Sequence, residues 1–140
     1  MSTDRKTSNI SIIIPARNEA ESLGKFLPQL ISAPGVEVLV ADGGSEDETV
    51  AVANSLGVQV ISSVPGKAVQ MNTGAAAAHG DILLFLHADT RLEPGFADQV
   101  RYTLSQPGVA AGAFRLAIDG KGFGLRVIEW LVNFRSRFLQ

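Results

Sequence analysis

Four short β-branched or leucine-rich runs most limit what this chain can fold into. They are ISIII (residues 10–14), VEVLVA (36–41), VQVIS (58–62) and the apolar part of DILLFLHADT (81–90). Several are apolar on both faces, and such a strand must be covered on both sides. That pattern predicts a mostly parallel sheet with helices on each face, an α/β fold. The intervening stretches have helical periodicity. EAESLGKFLPQLI puts Leu23, Phe26, Leu27 and Leu30 on one face, with Pro28 expected to kink or end the helix. SEDETVAVANSLG has Ser45 and Glu48 at capping-box spacing and Gly57 as a stop. GKAVQMNTGAAAAHG reads as an alanine-rich helix ending at Gly80, and PGFADQVRYTLSQ as a helix with Pro94 in its first turn. VAAGAFRLAI is expected to be a fifth strand, followed by an amphipathic helix over 123–139.

The length of 140 residues suits a single domain spanning 1–140. Twelve Lys and Arg against fourteen Asp and Glu leave a net charge of −2, which argues against a nucleic-acid partner. Without cysteine there are no disulfides or thiolate metal sites, so any metal must be held by oxygen or imidazole. The polar start MSTDRKTSN has no apolar core of a signal peptide, and no apolar run approaches a membrane span. A cytoplasmic location is the expectation. Arg126, Arg135 and Arg137 beside Trp130, Phe134 and Phe138 fit a packed helix, with peripheral membrane contact as the alternative.

In open parallel sheets, ligands bind outside the carboxyl ends of the strands. Those ends read PARNE, DGGS, SSVPGK and HADT, and they bring Arg17, Asn18, Glu19, Asp42, Lys67, His87 and Asp89 to one edge. Ser45 and the acids after it suit a helix start, whereas Asp42 leaves the sheet before the turn and is a candidate acceptor for a ligand's N–H or hydroxyl groups. Lys67 is either an exposed turn cation or a phosphate partner at a helix start. Asn18 could be an N-cap and Arg17 a surface charge. His87 and Asp89, two apart on an extended segment, would point the same way and are competent ligands for a divalent cation.

SIIIPARNEAESL, VEVLVADGGSEDET, GKAVQMNTGAAAAHGDILLFLHADT and VAAGAFRLAI together resemble the family 2 glycosyltransferases, which have the nucleotide-sugar-binding GT-A fold. The HADT and GKAVQMN segments resemble the arsenosugar-biosynthesis or carotenoid-type (diaponeurosporenoate) branches. The resemblance implies a UDP- or GDP-sugar donor and a lipid or small-molecule acceptor. It implies that Pro15, Arg17, Asn18 and Glu19 line the base and ribose, that Asp42 contacts the base, and that Lys67 contacts the base or diphosphate. Asp89 matches the last aspartate of the family's Asp-x-Asp motif, which holds Mn²⁺ or Mg²⁺ on the diphosphate. His87 stands where the first aspartate belongs, as a nucleotide or metal contact. The family's general base lies in a later Glu-Asp-type motif with no match here, so the catalytic base is unassigned and the chain resembles a donor-binding half. The alternatives are a nucleotide-binding module without catalysis and, more distantly, a haloacid-dehalogenase-type phosphatase with His87 in place of its nucleophile. A dinucleotide-binding Rossmann enzyme would need a Gly-x-Gly-x-x-Gly turn where PARNEA stands.

Overall fold

The computed structural model describes residues 8–109, 112–114 and 128–130. Strand β1 (Ile10–Ala16) lies between β2 (Val36–Asp42) and β4 (Ile82–Phe85), and β3 (Gln59–Ser62) flanks β2. All three pairings are parallel, with Ile12 opposite both Val38 and Leu84. Helices α1 (Ala20–Ile31), α2 (Thr49–Ser55), α3 (Lys67–Ala77) and α4 (Phe96–Ser105) follow β1, β2, β3 and β4 in turn. This is the parallel α/β sheet expected from the doubly apolar runs.

The alternation along β1 divides the core in two. Ile10, Ile12 and Ile14 face a large apolar cluster with Leu23, Leu27 and Leu30 of α1 and Phe96, Val100 and Leu104 of α4. Ile13 faces a smaller cluster with Leu39 and Ala78, completed by Ala75, Leu83 and Phe85. Here α3 covers the sheet with glycine and alanine, so its backbone can come close. A Cβ on Gly74 would lie 2.5 Å from Ile13 Cγ2, which leaves no room for a side chain. Because α3 lies close to the sheet, its polar residue Gln70 can reach the strands.

Three local expectations are revised. Strand β1 does not stop at Pro15; it runs on to Ala16, with Pro15 opposite Ala41 of β2. Pro28 does not end α1, which continues to Ile31. Pro28 and Gly24, whose carbonyl loses its helical donor there, are both exposed, so water can serve that carbonyl. In the segment expected as an amphipathic helix over 123–139, Ile128–Trp130 form strand β6, antiparallel to β5 (Gly112–Phe114). Ile-Glu-Trp alternates with the period of a strand, and short apolar runs do not separate helix from strand by periodicity. Strand β6 lies beside β4. The rest of that helix, including Arg126, Phe134, Arg135, Arg137 and Phe138, and most of the expected fifth strand lie outside the described residues. Among the described residues no helix is long and apolar enough to cross a membrane.

At the amino edge of the sheet one polar residue is fully buried in β1. The Ser11 hydroxyl donates to Glu37 Oε2 at 2.5 Å and accepts the Gly80 N–H at 2.8 Å. The same carboxylate accepts the His79 N–H and faces its ring at 2.9 Å. Burial alone would raise the Glu37 carboxyl, but the Ser11 hydroxyl, the His79 amide and the His79 ring together hold it below the ordinary glutamate range. At the same edge Arg101, itself buried, donates to the carbonyls of Ser8, Pro34 and Gly35 and ties α4 to both chain segments entering the sheet.

Two outcomes follow. Gly74→Val is expected to destabilise the fold by about 1–3 kcal/mol, the usual cost of overpacking, read as a lower urea midpoint. Glu37 is more acidic folded than unfolded, so its contribution is present above the unfolded pKa of about 4.3 and is lost as pH falls through the lower folded value. Glu37→Gln should therefore flatten the acid-side decline of the urea midpoint below about pH 5 while lowering the midpoint at neutral pH.

Candidate functional site

The carboxyl edge opens because β1 and β4 part company there. Their register ends at Ile13 opposite Phe85, and the last ladder bond runs from the Leu86 N–H to the Ile13 carbonyl at 3.0 Å. Backbone groups alternate sides along a strand, so the next position aimed toward β4 is residue 15. Proline has no N–H to leave stranded there, which is why a proline inside a buried strand is tolerated. Strand order reverses at β1, with β2 and β3 on one side and β4 on the other. That is the switch point at which such sheets bind ligands.

The loops after β1 and β2 are laced together. Asn18 takes a left-handed backbone (φ 55°), and its Oδ1 accepts the N–H groups of Glu46 and Asp47 at 2.8 and 3.3 Å. In return Ser45 Oγ accepts the Asn18 N–H at 2.9 Å, Thr49 Oγ1 that of Glu19 at 2.8 Å, and Asp47 Oδ2 that of Ala20 at 3.3 Å. The amides leading into α1 are thus served by the second loop, and two leading into α2 by the first. The Thr49 hydroxyl also donates to Asp47, and this bond, with the amides of Thr49 and Ala20, holds the Asp47 carboxyl below the ordinary range despite some desolvation.

The capping box expected at Ser45 and Glu48 is not formed. Helix α2 starts at Thr49, and Glu48 at its N-cap makes no side-chain cap. Ser45 instead donates to Asp42 Oδ1 at 2.5 Å, while Asp42 Oδ2 accepts the N–H groups of Gly44 and Ser45 at 3.2 and 3.1 Å. Asp42, buried, therefore shapes its own loop, and any ligand contact would use its remaining lone pairs. Asn18 is not the N-cap of α1, a position held by Glu19.

Sequence reasoning passed over the side chain that joins these loops to the third. Gln70, in the first turn of α3 and buried, donates through Nε2 to the carbonyls of Ala16 at 3.0 Å and Ala41 at 2.9 Å. Its Oε1 accepts the Gly66 N–H at 3.1 Å. A polar residue in an alanine-rich helix, four before Gly74 on the face toward β1, was the available signal. Lys67 follows Gly66 and is exposed.

The fourth segment departs from its expected shape. Strand β4 ends at Phe85, and residues 87–90 form a turn closed by the Thr90 N–H on the His87 carbonyl at 3.0 Å. His87 and Asp89 therefore do not sit two apart on an extended strand. Thr90 and Ala88 are buried, His87 is half-buried and Asp89 is exposed. The topology brings Pro15, Arg17, Asn18, Glu19, Asp42, Lys67, His87 and Asp89 to one edge of the sheet. Side-chain bonds lace the Asn18 and Asp42 loops together, and Gln70 ties both to the loop that ends at Gly66. Among the described residues no three His, Asp or Glu groups form a ready-made metal cage. His87 and Asp89 carry an imidazole nitrogen and a carboxylate oxygen, donor atoms of the kind a divalent cation takes.

The family model described as Glycosyl transferase family 2 matches residues 11–140. A 4,4'-diaponeurosporenoate glycosyltransferase of Staphylococcus haemolyticus is 37% identical over 95 residues, covering 61% of this chain and 25% of that protein. Mannosyl-3-phosphoglycerate synthase from Rubrobacter xylanophilus superposes with a TM-score of 0.67 at 31% identity, covering 76% of this chain and 40% of its own. Glucosyl-3-phosphoglycerate synthase from Mycobacterium tuberculosis, in complex with Mn²⁺, UDP and glucosyl-3-phosphoglycerate, gives 0.55 at 29% identity, covering 69% and 38%. The matched part of the chain thus covers between 25% and 40% of the length of each of these proteins.

The loop lacing gives one expected outcome. Asn18→Ala should cost about 2 kcal/mol, from left-handed strain plus the lost acceptor, and Asn18→Gly only about 1, from the acceptor alone. Asn18→Asp, which keeps both properties, should melt close to wild type; equal losses for Ala and Gly would remove the strain from the account.

Proposed function

The chain belongs to glycosyltransferase family 2 and has its GT-A fold, and from that premise we propose that it binds the nucleotide-sugar donor in a glycosyl transfer. The observation that carries this reading is the convergence of PARNE, DGGS, PGK and HADT at the switch point of a sheet whose family match covers residues 11–140. The structural neighbour crystallised with Mn²⁺ and UDP supports a divalent cation and a nucleoside diphosphate as the ligands.

In this reading Pro15, Arg17, Asn18 and Glu19 border the base and ribose from β1. Asp42 holds the facing loop and offers its remaining lone pairs to the base. Lys67 supplies positive charge to the base or diphosphate, at the start of a helix whose first N–H groups favour anions. Asp89, with His87 beside it, would hold Mn²⁺ or Mg²⁺. Bound there, the cation would offset charge on the departing nucleoside diphosphate. Inverting transfer also needs a carboxylate to take the acceptor's proton. No residue of this chain is assigned to that task, so donor binding is the part of the reaction these residues account for. The acceptor, proposed as a lipid or small molecule, contacts none of them by assignment.

Calorimetric titration of the 140-residue chain with UDP and GDP, with and without Mn²⁺, tests the reading. One of the two nucleotides should bind, and more tightly with the metal. Asp89→Asn should weaken metal-dependent binding about tenfold or more, the usual scale for a ligand to the metal or its support. Absence of binding by both nucleotides under all conditions would falsify the donor-site assignment.

A further inference from the structure

The buried side chain of Gln70 touches three of the loops carrying candidate site residues. Its two amide hydrogens go to Ala16 and Ala41, the carbonyls next to Arg17 and Asp42, and its oxygen takes the N–H of Gly66, next to Lys67. The primary amide is therefore used in full on the donor side and once on the acceptor side, with no hydrogen left over. Ala16 and Ala41 stand where the β1 and β2 ladders run out, and their carbonyls are shielded from water by α3. The Ala16 carbonyl also accepts the Gly43 N–H at 2.9 Å, so the two loops are tied on both sides of the amide. Gly43 lies against the amide so closely that a Cβ there would be 2.8 Å from Gln70 Cδ.

We propose that Gln70 is a positioning residue for the donor site: through its three hydrogen bonds it sets the spacing between the loops that present Arg17, Asp42 and Lys67 to the nucleotide. The proposal rests on the donor-binding reading above and adds a residue that touches no ligand. The chemistry requires an amide at this position. Methionine or leucine would fill the volume but remove all three bonds, leaving the Ala16 carbonyl held only by the Gly43 N–H and the Gly66 loop untied from the strands. Glutamate, ionised, would face two carbonyls with no proton to give. Glutamine alone offers two donors and one acceptor at this reach.

The test compares Gln70→Met and Gly43→Ala with Leu30→Ala, a core truncation at the far end of α1. UDP and GDP affinity with Mn²⁺ is measured by calorimetry beside the Tm of each chain. Loosening a site by about 1 Å costs affinity steeply, so Gln70→Met should weaken binding by about tenfold or more. Gly43→Ala, which pushes on the amide without removing it, should give a smaller loss in the same direction. Leu30→Ala should lower Tm at least as much and leave affinity within about twofold of wild type. Hydrogen exchange supplies the readout if Gln70→Met folds poorly: Gly43→Ala should then speed exchange at Gly66 and Lys67 while the amino-edge amides keep their rates. Wild-type affinity in folded Gln70→Met, or a loss in Leu30→Ala that tracks Tm equally, overturns the proposal alone. A wild-type chain that binds neither nucleotide overturns the donor-site reading and this proposal with it.

Discussion

A parallel sheet can open a ligand crevice only where two strands stop pairing, and the backbone groups released there need other partners. Everything at the carboxyl edge of this chain depends on how that is arranged. On the β4 side of β1 the difficulty is removed by Pro15, which has no N–H to satisfy. On the β2 side Gln70 adds a donor to the carbonyls of Ala16 and Ala41, beside the Gly43 N–H that Ala16 also accepts. One residue is chosen for a missing donor and the other for two supplied ones. Together they ease the passage from paired strands to loops.

That arrangement explains the asymmetry of the two faces. The face covered by α1 and α4 is filled with leucine, isoleucine, phenylalanine and valine, and most of the described core lies there. The face covered by α3 is thinner because α3 must come close enough for Gln70 to reach the strands. Gly74 permits that approach, and Ala75 and Ala78 keep the contact shallow. A larger side chain on this face would bury more apolar area, but it would lift Gln70 away from the carbonyls it serves. The alanine-rich composition of the helix thus has a geometric reason.

The layers and the parallel pairing were legible in the sequence because they rest on period and burial. ISIII and DILLFL can lie only where both faces are covered. The polar residues after each such run then fall at one edge. What was not legible rests on contacts between residues distant in the chain. Ser45 and Glu48 have capping-box spacing, yet Ser45 binds Asp42 and the helix starts later, because Asn18 from another loop already serves the amides of Glu46 and Asp47. The turn at 87–90 was hidden because His-Ala-Asp-Thr continues an apolar strand without a glycine or proline to mark the bend. Ile128–Trp130 were read as helix since three residues cannot establish a period by themselves.

The site that results divides its polar groups by burial. Gln70, Asp42 and Thr49 are buried and spend their hydrogen bonds on backbone or on neighbouring loops, whereas Arg17, Lys67 and Asp89 are exposed. Fixing a long exposed side chain on a ligand costs about 0.5–1.5 kcal/mol each, so a site of this kind gains most from holding its backbone still. The reciprocal capping of the two loops does that before any ligand arrives. The same division bears on the metal. With no cage of three protein ligands among the described residues, a cation at Asp89 would depend on diphosphate oxygens for its shell. Metal and nucleotide would then each raise the other's affinity by the same factor, as linkage requires. On the proposed reading, the site is assembled by its donor as much as by the protein.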